Sequence, residues 1–253
     1  ARRLRAEGRQ ADVVIANNVM AHTPDLNGFV EGLGMVLADE GLLTVENPYV
    51  RDLIAHGEFD TIYHEHFSYF SCTAVANLMK RHGLSVNHVE YFPLHGGTLR
   101  WHVERPNAAQ PSALAYLEAE LEQGVVDIPF YTGFAAQVHR IKQELLALLR
   151  SLKEEHRTVA AYGAAAKGST LLNYMGIGRD LVGYVVDRSV HKQGHFMPGV
   201  HLPIHDPSML LEDAPDFVLL LAWNFRDEIL RQQEEFRRRG GRFIVPVPFP
   251  EIV

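Results

Sequence analysis

Residues 61–71, TIYHEHFSYFS, place two histidines, a glutamate and two tyrosines in one short stretch. Histidine changes charge near neutral pH, so Tyr63-His64-Glu65-His66 offers groups able to take or give a proton at pH 7. A carboxylate or phenol beside an imidazole can hold it neutral and oriented, the state a general base requires. In an extended segment His64 and His66 would share one face, and Tyr63 and Glu65 the other; a turn would scramble that pairing. The rival chemistry is an HxH metal site, which needs a third ligand and an open position. His22, Asp60 and His95 are available for that place. The plain alternative is a solvated polar patch.

Two further groups have similar potential. Asn17-Asn18-Val19-Met20-Ala21-His22 follows a short apolar run, Asp12 to Ala16, that reads as a strand buried on both faces. Ligands of open α/β sheets bind at the carboxyl ends of strands, so His22 could face one there; helix capping and loop packing are the alternative. Residues 162–173, YGAAAKGSTLLN, read as strand, small-residue loop and helix start. The loop is neither a Walker sequence nor GxGxxG, since Ala165 takes the middle glycine place. Backbone N–H groups and the helix dipole would still favour an anion there, with Lys167 as an added cation. Asp187, 24 residues after Gly163, stands where an acid would meet a ribose hydroxyl. His191 to His195, with Lys192, and Pro198-Gly199 could add phosphate donors. Trp223-Asn224 ends another strand on that edge, where the indole could stack on a base or be buried. A tight helix–sheet packing loop is the alternative for the whole group.

These groups need a scaffold of strand ends. Residues 25–38 carry apolar positions at helical spacing, and LLTVE, ending at Asn47-Pro48, is a second buried strand. Strand, polar turn, helix, strand is the unit of a parallel α/β sheet. The spacing predicts a loop over 52–71, a helix over 73–81, and an antiparallel hairpin at a sheet edge from 85–92 and 98–104. A boundary is expected at Arg105-Pro106-Asn107. Helices over 111–123 and 131–156 follow, the latter a connector covering a sheet. A second α/β unit starts at Arg157, with strands over 158–162, 181–186, 217–222 and 243–247, and one charged helix over 226–240. The expected organisation is therefore 1–105, 106–156 and 157–253. The opening residues, ARRLRAEGRQ, read as a polar helix end already under way, as though the chain starts inside a longer one.

Composition narrows the function. The chain has 253 residues, 47% apolar and 22% charged, which suits an ordinary globular core. A net charge of -7 argues against a nucleic-acid partner, which would need a basic face. The single cysteine, Cys72, excludes an internal disulfide framework and a cysteine-rich zinc site, and fits a reducing, cytoplasmic setting. No apolar run nears the ~20 residues that cross a bilayer, and no signal peptide is visible. Oligomeric state is not legible.

ANNVMAH, NPYV, FDTIYHEHFSYFS, LHGGTLR, YGAAAKGSTLLN, VVDRSVHKQGHFMPG and LLLAWNF, in this order from about residue 8 onward, resemble the S-adenosylmethionine-dependent sugar C-methyltransferases that act on nucleotide-linked 4-keto deoxysugars. The resemblance implies an α/β fold: a partial class I methyltransferase Rossmann-like sheet, then a second Rossmann-like lobe that grips the nucleotide-diphosphate sugar. It implies a zinc module and a glycine-rich loop for S-adenosylmethionine upstream, so this chain would be the C-terminal two-thirds of such an enzyme. It implies that His66 is the base that forms an enolate, that Tyr63 and Glu65 orient substrate or base, and that His22 stabilises the enolate oxygen. Asn17 and Asn18 would lie against the methyl donor. Gly163, Ala164, Lys167, Gly168, Asn173, Asp187, Lys192, Trp223 and Asn224 would hold the diphosphate and nucleoside. A nicotinamide-dependent oxidoreductase, a metal hydrolase and a non-catalytic nucleotide-sugar-binding module are the competing readings.

Overall fold

The computed structural model describes residues 1–106 and 110–253. They divide into two units, one of residues 1–55 and 64–133, the other of residues 56–63 and 134–253. The expected boundary thus falls partly on Asn107, outside the described residues. The helices Pro111–Glu122 and Ile128–Thr132 fall in the first unit and the helix Phe134–Glu154 in the second, so they do not stand as a separate connector.

The first unit runs α1 (Arg2–Ala6), β1 (Ala11–Asn17), α2 (Leu26–Val36), β2 (Leu37–Pro48), α3 (Val50–His56, its last residue in the other unit), α4 (Cys72–Arg81), β3 (Ser85–Phe92), β4 (Thr98–Glu104), α5 (Pro111–Glu122) and α6 (Ile128–Thr132). Its sheet has the order β1-β2-β4-β3. β1 and β2 are parallel, and β3 and β4 form the expected antiparallel hairpin at one edge. The hairpin turn has His95, Gly96 and Gly97 at positive φ, and the Gly97 carbonyl accepts from the Tyr49 N–H at 2.9 Å. A Cβ on Gly97 would lie 2.2 Å from Asp52 Oδ2, so only glycine lets the turn close there. The core gathers Leu43, Val45, Leu99, Trp101, Val103, Leu78 and Met79. Beside it Glu120 is buried and accepts from the N–H groups of Cys72 and Thr73 at 2.6 and 2.8 Å, which caps α4 from another helix.

Two expectations fail in this unit. β1 is not buried on both faces: Val13 and Ile15, which share one face, are 57% and 69% exposed, because among the described residues that face is left uncovered. The segment 52–71 is not all loop, since α3 and a 3₁₀ turn at Phe59–Thr61 occupy part of it. The leucines of α3 are few, so its periodicity was too short to read.

The second unit runs α7 (Phe134–Glu154), β5 (Val159–Tyr162), α8 (Ala166–Met175), β6 (Val185–Val186), β7 (Ile204–His205), α9 (Met209–Glu212), β8 (Phe217–Leu220), α10 (Arg226–Gln232), α11 (Glu234–Arg238), β9 (Arg242–Val245) and β10 (Glu251–Ile252). The sheet order is β10-β9-β8-β5-β6-β7, parallel throughout except β10 on β9. Counted within the unit this is 6-5-4-1-2-3, the doubly wound Rossmann order, whose direction reverses between β5 and β8. α7 presents Val138, Ile141, Leu145, Leu149 and Leu152 to a core shared with Ala161, Leu219 and Ile244, so it covers a sheet face as its spacing predicts. The expected strand over 181–186 shrinks to two residues, and the expected helix over 226–240 breaks between Gln232 and Glu234.

Candidate active site

In the first unit the reactive side chains gather past the carboxyl ends of β1 and β2. β1 ends at Asn17, and Asn18 takes φ 53, a left-handed conformation that asparagine tolerates. A 3₁₀ turn, Met20–His22, follows. The Ala21 N–H donates to Asn47 Oδ1 at 3.3 Å, which fastens this turn to the end of β2. Two more bonds tie it to the histidine-rich loop. The Phe67 N–H donates to the Ala21 carbonyl at 2.9 Å, and His22 Nδ1 donates to the Glu65 carbonyl at 2.9 Å.

That last bond fixes the tautomer of the neutral His22 ring. A carbonyl oxygen only accepts, so Nδ1 carries the proton and Nε2 of the neutral ring holds the lone pair. The His66 ring lies 4.8 Å from the His22 ring, tilted by 58°, and its other side meets Tyr69 edge-on at 6.0 Å. Tyr63 and His66 are half-buried, while His64 and the Glu65 side chain are exposed. A turn at His64-Glu65 replaces the extended geometry, so the alternating pairing of His64 with His66 does not form. Glu65 contributes its main-chain carbonyl to the cluster. Among the described residues, the group of histidines and acids whose ligand atoms converge as a metal would require is His88, Glu90 and His102, not the 64–66 cluster.

Asn17 supplies a second feature of this edge. Its Oδ1 is buried without a hydrogen-bond partner among the described residues. A buried acceptor at a strand's carboxyl end suits a ligand amino or hydroxyl group.

The second unit holds a cavity of about 280 Å³ at the point where its strand order reverses. Tyr162, Gly163, Asp187, Lys192, Ala222 and Phe225 are among its walls. Gly163 has φ 104, and a Cβ there would lie 2.7 Å from Ala222 Cβ. Gly168 sits where a Cβ would be 3.0 Å from the Gly163 carbonyl and from Leu221 Cβ, so α8 can approach the sheet. No side chain caps α8 among the described residues, which leaves its first N–H groups for a ligand or water. Asp187 is already engaged: Oδ2 accepts from the Ala164 N–H at 2.7 Å and faces Lys192 Nζ at 3.4 Å, and Oδ1 accepts from the Ser189 N–H at 2.8 Å. It shapes the loop as well as lining the cavity.

The remaining expected residues lie elsewhere in this unit. Lys167 does not line the cavity; its Nζ donates to Asn224 Oδ1 at 2.9 Å and lies 4.4 Å from the Trp223 ring centre. Trp223 Nε1 donates to Asp60 Oδ2 at 2.7 Å. Asp60 is fully buried, and burial pushes its carboxyl up to about 6, with the Lys167 charge opposing. The same burial holds Lys167 below its ordinary range. Asn173 bonds the carbonyls of Ser169 and Pro198 at 2.8 and 2.9 Å, a tie between α8 and the loop beyond β6. Sequence reasoning missed Phe225, Arg188 and Ala222 as cavity walls, and it missed the Asp60 cluster. The strand end read at Trp223-Asn224 lies directly before Phe225, an aromatic in the cavity wall, but neither Trp223 nor Asn224 lines the cavity.

Comparison with known proteins agrees with this layout. Residues 93–248 match the family described as C-methyltransferase C-terminal domain, and residues 2–89 match a methyltransferase domain. A C-methyltransferase, NovU of Streptomyces niveus, is 38% identical over 247 residues, covering 96% of this chain. The chain spans 59% of that protein's length. The chain belongs to the C-methyltransferase family, with a methyltransferase-type sheet followed by the family's C-terminal domain.

Proposed function

We propose that this chain serves an S-adenosylmethionine-dependent C-methylation of a nucleotide-linked keto-deoxysugar. The observation that carries the reading is the His22–His66 pair past the ends of β1 and β2, in a chain of C-methyltransferase family. S-adenosylmethionine, when bound, supplies a methyl group on a sulfonium leaving group. Asn17 and Asn18 would form one side of its site. The chain's own task is to make carbon nucleophilic. A C–H beside a ketone is acidic because the resulting charge spreads onto oxygen, and His66 takes that proton. Tyr63, half-buried beside the turn, orients the sugar. His22 meets the enolate oxygen through Nε2, which donates only when the ring is protonated.

The fixed tautomer of His22 favours a second reading, in which His22 Nε2 is the base and His66 the partner. His22→Gln and His66→Gln separate the two, because removal of the base slows proton abstraction by ~10²–10⁴-fold and removal of the partner slows it far less. A nicotinamide oxidoreductase lacks support from the family match, and the sequence has no central glycine in its loop.

In the second unit, the α8 N-terminus, Gly163, Ala164, Gly168 and Lys192 receive the diphosphate, and Asp187 or Phe225 meets the nucleoside. Lys167, Trp223, Asn224 and Asn173 support that site by holding its walls. Calorimetry with this chain tests the reading: a thymidine diphosphate sugar binds, and Lys192→Ala weakens it about tenfold. Absence of sugar binding would remove the proposal.

A further inference from the structure

His88, Glu90 and His102 form a second polar group on the β3–β4 hairpin, at the opposite edge of the first sheet from β1. The register explains why they meet. His88 pairs directly with His102, and Glu90 follows His88 by two residues, so all three side chains leave the same sheet face. One ligand atom from each lies within 4.8 Å of the others, and all three residues are half-buried.

The group is held from outside. Ser112 Oγ on α5 sits 2.5 Å from His88 Nδ1, fixing that ring. His102 Nε2 faces Glu90 Oε2 at 2.7 Å, and the two imidazole rings lie 5.1 Å apart. Arg100 is the only cation drawn to Glu90 in the same row, 3.6 Å away among the described residues, and Arg100 is also paired with Glu46. Displacement of Glu90 toward a metal would leave Arg100 with Glu46.

The geometry points to a divalent transition-metal site formed by His88, Glu90 and His102, of the zinc class. Two imidazoles and one carboxylate, with a fourth position open, are a donor set that zinc, cobalt and nickel accept and magnesium or calcium does not favour. Ligand atoms around tetrahedral zinc stand ~3.3 Å apart, given bonds of about 2.0 to 2.1 Å. Small side-chain rotations close the present spacing to that value. Ser112 is then a positioning residue of the kind that orients a ligating histidine.

Titration of the whole chain with zinc chloride, and with cobalt chloride read by its visible absorption, tests the assignment. One equivalent binds to the wild type. His88→Gln, Glu90→Gln and His102→Gln each weaken binding by about 100-fold or more, and Ser112→Ala by about tenfold. His82→Gln, on a half-buried histidine outside the group, leaves binding unchanged. Circular dichroism of each variant establishes that it is folded, and Glu90→Gln keeps the side-chain volume. Failure to bind a stoichiometric ion overturns the assignment, as does binding that survives all three ligand substitutions.

Discussion

Asp60 shows how much one buried carboxylate can govern. Its Oδ2 accepts from Trp223 Nε1, its Oδ1 is buried without a partner among the described residues, and burial raises its pKa to about 6. An unfolded aspartate titrates near ~3.9. Between these values the unfolded chain is ionised while the folded one keeps the proton, so the folded state binds more protons and stability falls as pH rises through that window. Asp60→Asn removes this dependence. Thermal melts at pH 4 and pH 7 should show the wild type losing stability relative to Asp60→Asn as pH rises; parallel losses would contradict the assignment. Nothing at Asp60 was visible as a buried acid in the sequence, because its partner Trp223 is 163 residues away. The histidine-rich stretch was legible for the opposite reason, since its reactive residues are neighbours in the chain. Even so, the sequence could not show that a turn would leave His64 outside the pair with His66, or that Glu65 would act through its carbonyl.

At the scale of elements, the strand-loop-helix at Gly163 was readable from small residues between an apolar run and a helical one. Its purpose needed distances. Gly163 is barred from a side chain twice, by φ 104 and by the Ala222 Cβ at 2.7 Å, whereas Gly176 has φ 74 with nothing within 4 Å. Gly163→Ala should cost about 2–4 kcal/mol, from left-handed strain plus overpacking. Gly176→Ala should cost about 1–2 kcal/mol, from the backbone alone. Denaturant melts of both variants check the difference, and equal losses would deny the close approach of loop and strand. Buried parallel strands β5, β8 and β9 were visible as apolar runs. The two-residue strands β6, β7 and β10 were not, since a pair of residues carries no period. β1 misled for a related reason: β-branched composition marks a strand but says nothing of which of its faces is covered.

Taken as a whole molecule, the chain divides its work by unit. One unit holds the histidine pair and the other holds the cavity at a Rossmann switch point. The sequence order of motifs gave that division, although it could not show that residues 56–63 belong with the second unit. Proton abstraction needs no methyl donor, so it can be followed in this chain directly. The chain is incubated in deuterium oxide with a nucleotide-linked 4-keto deoxysugar, and loss of the signal of the proton beside the ketone is followed by NMR. Wild-type protein should exchange that proton, and His66→Gln should slow the exchange by ~10²–10⁴-fold, the range a positioned general base supplies. Exchange by His66→Gln at the wild-type rate would contradict the account.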